Sequence, residues 1–377
     1  MKSSVHPDRA RGACTMRINM KEWQREIIES YEVKALPIMT YPGLALTGQS
    51  VMDIVTNGHE QFFCMDALAK RYPAIGSVSV MDLSVEAEAF GSTVQYSATE
   101  APTVVGSIVT DFESAEALGV PTVGEARTYA YLKAIQIAAR QIKGKPVFGG
   151  QIGPFSLACR LMEMKNLLIS VMKKPDLVHT VLEKATTFLI QYAIAIKAAG
   201  ANGLIIAEPA AGLISPEQCD EFSSRYVKPI VDAVQDDFFS VILHNCGNTV
   251  RLVDSMVSTG AACFHFGNAV KMRDIMPQIP SNRLAFGNVD PAGLFKLGTP
   301  KQIMARIDEL LREVGHYSNF VLSSGCDIPP GTSLDNVGAF FDALATYNVQ
   351  QQKRVFLASV SGGARRVGNM SGNFLQA

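Results

Sequence analysis

Eight short runs of almost unbroken apolar residues recur along the chain, each followed by turn residues and then by a longer stretch of mixed character. They are LPIMTY (36–41), SVSVMDL (77–83), PVFGGQI (146–152), GLIIAEP (203–209), SVILHN (240–245), ACFHFG (262–267), LAFGNV (284–289) and NFVLSSG (319–325). Runs that are apolar throughout, rather than at every second position, are expected of parallel strands buried on both faces. Between them the spacing lengthens to that of helices. After Thr299-Pro300, a cap followed by proline, the positions Ile303, Ile307, Leu310, Leu311 and Val314 form one stripe that Gly315 can close. Ser215-Pro216-Glu217 is a start of the same kind. About 60 residues separate the second run from the third, and FGSTVQYSATEAPTVVGS (90–107) within that gap reads as a β-hairpin.

Eight strand-then-helix units predict an α/β fold, a single (β/α)8 TIM barrel with an N-terminal extension and a β-hairpin insertion after strand 2. A doubly wound open sheet is the alternative. The barrel is expected over residues 20–350, between flexible tails at 1–19 and 351–377, the second rich in Gly and Ser.

Composition narrows the function. Of 377 residues, 47% are hydrophobic and 18% charged, which suits a large core and not disorder. The net charge is −1, and Lys/Arg clusters go no further than pairs such as Lys173-Lys174 and Arg365-Arg366. That argues against nucleic acid and against an anionic membrane surface. No apolar run approaches the roughly 18 residues of a membrane span. The opening MKSSVHPDRARGACTM is basic but lacks an apolar signal core. Seven thinly spread cysteines do not suggest a disulfide framework, so a reducing cytoplasm is expected. Cys14, Cys64, Cys159, Cys219 and Cys263 read as small apolar residues, which leaves Cys246 and Cys326.

In a barrel the strand ends converge on one face. The residues there are Tyr41, Asp82, Gln151, Glu208, His244 with Cys246, His265 with Asn268, Asn288 with Asp290, and Cys326. His244 and Cys246 leave strand five together, and Cys326 follows 80 residues after Cys246 at the end of strand eight. Imidazole and thiolate are preferred zinc ligands, and a catalytic zinc keeps three protein ligands and one open position. The plain alternative is a buried histidine with two unrelated core cysteines. His265 and Glu208 are candidate fourth ligands or supporting partners, and each also suits solvent or substrate. A zinc held by two thiolates is nearly neutral and weakly Lewis acidic. It suits lowering the pKa of a thiol substrate that stays nucleophilic, so alkyl transfer to sulfur is the expected chemistry. Glu86 and Glu88 are expected on a solvated face.

GGQIGPFSLACRLM (149–162), RLAFGNVDPAGLF (283–295) and VLSSGCDIPPGTSLDNVGAF (321–340) resemble the uroporphyrinogen decarboxylase superfamily, over residues 20 to 350. Within it, YPGLALTG (41–48), MDLSVEAEAFG (81–91) and the His-x-Cys with a distant Cys resemble the zinc-dependent methylcobamide:thiol methyltransferase branch. The resemblance implies Zn2+ on His244, Cys246 and Cys326. It also implies a mouth that receives a methylcobamide (corrinoid) on a carrier protein, and a small thiol as methyl acceptor. Asp82 and Glu208 are the catalytic candidates, and Tyr41, Gln151, Arg160, His265, Asn288 and Asp290 the substrate-binding ones. The decarboxylase branch opens with an arginine-rich segment that grips carboxylates; PIMTYPG (37–43) stands there without an arginine. Arg160 stands where that branch has a tyrosine, and Cys326 where it has a late histidine. The alternatives are a metal-free decarboxylase working through Asp82, and a non-catalytic barrel that binds corrinoid or tetrapyrrole.

Overall fold

In the computed structural model, which describes residues 17–368 and side chains as far as residue 353, seven of the eight runs contribute strands to one eight-stranded parallel sheet, and the first run directly follows its remaining strand. In chain order they are β1 (Lys34–Ala35), β2 (Ser77–Val78), the hairpin strands β3 (Thr93–Gln95) and β4 (Thr103–Val105), β5 (Val147–Ile152), β6 (Gly203–Ala207), β7 (Ser240–Asn245), β8 (Cys263–Phe266), β9 (Leu284–Val289) and β10 (Phe320–Ser324). The order β1-β10-β9-β8-β7-β6-β5-β2 follows the chain round a ring once the hairpin is set aside. A doubly wound sheet would reverse its order in the middle, and this one does not. Between β1 and β2 the ring is joined by single bonds: Ile75 N donates to Ala35 O at 2.9 Å and Thr40 Oγ1 to Val78 O at 2.8 Å. The fold is an α/β barrel of the TIM type. As expected, β3 and β4 pair antiparallel and form the insertion after the second barrel strand.

The first run is displaced from its expected place. Ladder pairing ends at Ala35, not Tyr41, because Ile38 N donates to the Ser324 hydroxyl oxygen at 3.0 Å instead of to a carbonyl. The last helix, Leu334–Gly368, continues through 351–368, where a tail was expected. No proline interrupts that stretch, and its first half is anchored by buried Val337, Phe340, Phe341 and Leu344. Residues 1–16, with Cys14, and 369–377 lie outside the described residues. Among the described residues, no helix is long and apolar enough to cross a membrane.

Packing decides which end of the barrel does chemistry. Strand side chains facing inward, among them Ile205, Ile242, Leu284, Phe286 and Val321, form one apolar cluster with Met20 and Ile27 of the helix Met20–Ile28. That helix lies across the N-terminal ends of the strands. Gln24 donates to Ser240 Oγ at 2.6 Å at the start of β7, and Trp23 packs on Phe148. One end is therefore plugged with apolar surface, and only the C-terminal end remains for polar groups. The outer faces of the strands pack on helices such as Pro300–Val314. Its stripe Ile303, Ile307, Leu310, Leu311 and Val314 is buried, each side chain contributing about 1.5–3 kcal/mol. Thr299 and Gln302 form its capping box, and Gly315 is its C-cap.

Candidate functional site

Strand alternation brings an imidazole to the open end. Ile242 lies in the inner cluster, so His244, two residues on, points inward one step nearer the mouth. Cys246 then leaves the strand where the turn after β8 crosses it. Gly267 makes that crossing possible: a Cβ there would press on the Cys246 backbone, with its carbonyl oxygen at 2.7 Å. Cys326 follows β10. One ring nitrogen of His244 and the two sulfurs lie within 4.8 Å of one another.

His244 is fixed by what its other nitrogen meets. Its Nδ1 lies 2.8 Å from His265 Nδ1, His265 Nε2 lies 2.9 Å from Ser323 Oγ, and the Ser323 hydroxyl donates to Leu36 O at 2.6 Å. All three side chains are buried. His244 Nε2 is also buried and has no hydrogen-bond partner. A buried ring nitrogen without a partner is rare in a native fold, and this one belongs to a residue grouped with two thiols. Burial, and then His244, hold the His265 pKa well below its usual value, so His265 is neutral.

The sulfurs behave as a pair. A hydrogen bond from Cys326 and then the neighbouring His244 lower the Cys246 pKa, whereas that same bond and burial raise the Cys326 pKa. Two neighbouring sulfurs beside an imidazole nitrogen suit a soft cation. The donor set therefore fits zinc: two thiolates, one imidazole, and bonds of about 2.0–2.3 Å to span the triangle. By contrast, burial raises the thiols of Cys64 and Cys219 to about 11 and Cys263 to about 12, as befits inert core residues; Cys159 is also raised.

Beside the trio is a cavity of about 30 Å³, lined by Ile38, Met81, Leu83, Ala207, Pro209 and Asp327 in addition to the three ligand candidates. It holds little more than one small molecule the size of water. Leu83 and Pro209 also line an adjoining crevice of about 260 Å³ with Ile152, Ser156, Cys159, Arg160 and Met164. Sequence reasoning left Asp327 unassigned, although it sits in the same turn as Cys326. Its carboxylate accepts from Met81 N at 3.3 Å, and its Oδ1 is buried without a partner. Burial pushes its pKa well above the usual carboxylate value. An acid directly after a ligand candidate was the available signal. Tyr41 is buried nearby with its hydroxyl also unpartnered.

Several expected site residues have other roles. Asp82 is fully engaged: Oδ1 accepts from Ser84 N at 2.9 Å and Ser84 Oγ at 2.6 Å, while Oδ2 accepts from Arg127 Nη1 at 2.5 Å and Tyr131 OH at 2.9 Å. Both of its oxygens are thus already engaged. Glu208 accepts from Ser156 N at 2.6 Å and Phe155 N at 3.1 Å, so it caps the helix Pro154–Met162, whose N-cap, Gly153, has no side chain to do so. Asp290 caps the turn after β9 through Ala292 N and Gly293 N. Asn288 ties the loop after β8, donating to Gly267 O at 3.0 Å and Val270 O at 2.7 Å. Gln151 shares the strand parity of Gly149, which faces Ile196 and Ile135 of the outer helices, so it points away from the mouth. His265 meets His244 rather than an open cavity. Arg160 lines the crevice beside the cavity. Glu86 is not on a solvated face, being 1% exposed and accepting from Ile152 N, and Glu88 is only partly exposed and pairs with Arg127 Nε at 2.6 Å. Arg127, whose partners lie up to 45 residues away, gave no local signal in the sequence.

Residues 44–347 match the family described as uroporphyrinogen decarboxylase (URO-D). A methylcobamide:CoM methyltransferase of Methanosarcina acetivorans is 29% identical over 273 residues, covering 71% of this chain and 78% of the relative. A uroporphyrinogen decarboxylase of Coxiella burnetii is 25% identical over 296 residues, covering 76% and 81%. Among solved structures, a methyltransferase from Methanosarcina mazei has the same fold, with a TM-score of 0.78 at 24% identity, covering 88% of this chain and 99% of that one.

Proposed function

Because the chain belongs to the uroporphyrinogen decarboxylase family and its relatives are named both for methyl transfer and for decarboxylation, we propose that it is the methyltransferase kind. In this reading it is zinc-dependent and moves a methyl group from a methylated corrinoid, presented by a carrier protein, to a small thiol. The observation that carries the reading is the partnerless His244 Nε2 grouped with the Cys246 and Cys326 sulfurs. The relatives that share this family include enzymes named for methyl transfer from a cobamide to a thiol coenzyme.

Bound to this trio, zinc would lower the pKa of an acceptor thiol while leaving its sulfur nucleophilic. The chain's own residues do the rest. Ile38, Met81, Leu83 and Pro209 wall the small cavity with apolar surface and keep bulk water from the reacting sulfur. The remainder of the acceptor extends past Leu83 and Pro209 into the crevice, where Arg160 can meet a negative group. In the transfer, the thiol would give up its proton to solvent, its sulfur pair would form the carbon–sulfur bond, and the pair of the broken cobalt–carbon bond would stay on the corrinoid's cobalt, which leaves as the two-electron-reduced product. Decarboxylation through Asp82 is disfavoured, because four hydrogen bonds already occupy both of its oxygens.

The test is metal content with turnover. Protein prepared without chelator should hold about one zinc per chain and methylate a thiol from methylcobalamin. His244→Ala, Cys246→Ala and Cys326→Ala should each lose the metal and at least 100-fold in rate, with unchanged circular dichroism, since removal of a ligand leaves two. A metal-free wild-type protein that decarboxylates a porphyrinogen would overturn the reading.

A further inference from the structure

We propose that His265 is a positioning residue that sets which nitrogen of His244 is available to the metal, through a hydrogen-bond chain ending on the Leu36 carbonyl. The proposal rests on the metal reading above and concerns a residue that is not itself a ligand. The direction of each bond follows from the donors present. A carbonyl only accepts, so the single hydroxyl proton of Ser323 must be the one donated to Leu36 O at 2.6 Å. Ser323 Oγ can then only accept from the ring 2.9 Å away, which puts a proton on His265 Nε2. Besides Ser323, the His265 ring meets His244, the stacked Phe286 ring and the Ser324 backbone, none of which supplies a negative charge for an imidazolium. A neutral His265 protonated at Nε2 has a bare Nδ1. The 2.8 Å contact between the two Nδ1 atoms is a hydrogen bond only if His244 carries the proton there. His244 Nε2 is thereby left as a lone pair, and it is the buried nitrogen that lacks a partner.

This chain ends on a neutral carbonyl, not on a carboxylate. A carboxylate would draw the Nδ1 proton and add negative charge to a site that already carries two thiolates. A neutral relay orients the imidazole without that charge, which keeps the site receptive to a third sulfur anion. Ser323 and His265 come from β10 and β8, so the device depends on two neighbours of the ligand-bearing turn rather than on β7 itself.

Two readouts test it, neither of them turnover. Selective ¹⁵N labelling of the six histidines, with long-range proton–nitrogen correlation on the zinc-loaded full chain, should show His265 protonated at Nε2 and His244 at Nδ1. Zinc affinity by chelator competition should fall about 10–100-fold in His265→Leu, which has no acceptor. It should stay within about threefold of wild type in His265→Gln, whose amide both accepts and donates. Ser323→Ala should fall between the two. If His265→Leu misfolds, the labelling result and the Gln variant still decide. Unchanged affinity in folded His265→Leu, or a proton on His244 Nε2, overturns the proposal. Failure of wild-type protein to bind zinc would instead sink the metal reading, and the tautomers of the metal-free chain would still report on the relay.

Discussion

Arg127 and Asp82 form a buried ion pair whose side chains are 7% and 0% exposed. Such a pair is worth little net when intact, because desolvating two charges offsets their attraction, but breaking it strands the survivor. Asp82 would keep Ser84 and Tyr131, neither of which is charged, and Glu88 would lose its guanidinium as well. Arg127→Ala should therefore cost about 3–5 kcal/mol in urea denaturation. Zinc content of the folded protein should be preserved, because Arg127 does not line the thiol cavity. Loss of metal at unchanged stability would show that this cluster belongs to the site after all. The same residues show what a sequence discloses at this scale. His244, Cys246 and Cys326 were legible because their types are unusual and each stands at a strand end. Asp82 stood at a strand end too, yet its role is set by Arg127, which no periodicity links to it. A strand end gives a residue's address but not its partner.

At the scale of elements, apolar spacing was informative and close approach was not. Seven of the eight strand runs and the stripe of Pro300–Val314 were legible, since burial on one face or two dictates their residue types. The shortening of β1 was not, because a serine hydroxyl from β10 replaces a ladder carbonyl. The contact between the helices Gly58–Arg71 and Thr128–Gln141 was equally invisible. There a Cβ on Gly58 would run into the Ala130 carbonyl oxygen and lie 2.8 Å from Ala134 N. These are backbone atoms and cannot rotate away. Gly58→Ala gains at most about 1 kcal/mol of helix propensity, since Gly58 is the first residue of its helix. Overpacking against backbone costs about 1–3 kcal/mol, so the steric effect should win. The variant should be destabilised by about 1–2 kcal/mol on balance. A more stable variant would mean that the helices part easily at this crossing.

For the molecule as a whole, burying carboxylates inside the helix-covered layer links stability to pH. Burial raises Glu86 to about 8 and Glu208 to about 7. Each therefore has a folded pKa above its unfolded one, and its contribution is fully present below about pH 4.5, where both states hold the proton. As pH rises, the unfolded chain ionises first and stability falls, until the folded group ionises as well. The slope is about 1.4 kcal/mol per pH unit for each proton retained. Carboxylates with lowered pKa, such as Asp236 beside Lys197, act in the opposite sense and only at acid pH. Comparison of wild type with Glu86→Gln cancels those other groups. The amide oxygen can still accept from Ile152 N, which now reaches Glu86 Oε1 at 3.0 Å. The variant should match wild type near pH 5 and pull ahead of it steadily up to about pH 8, as followed by urea midpoints. A difference that stays flat across this range would mean that Glu86 is ionised in the folded protein, with a counter-charge or water supporting it.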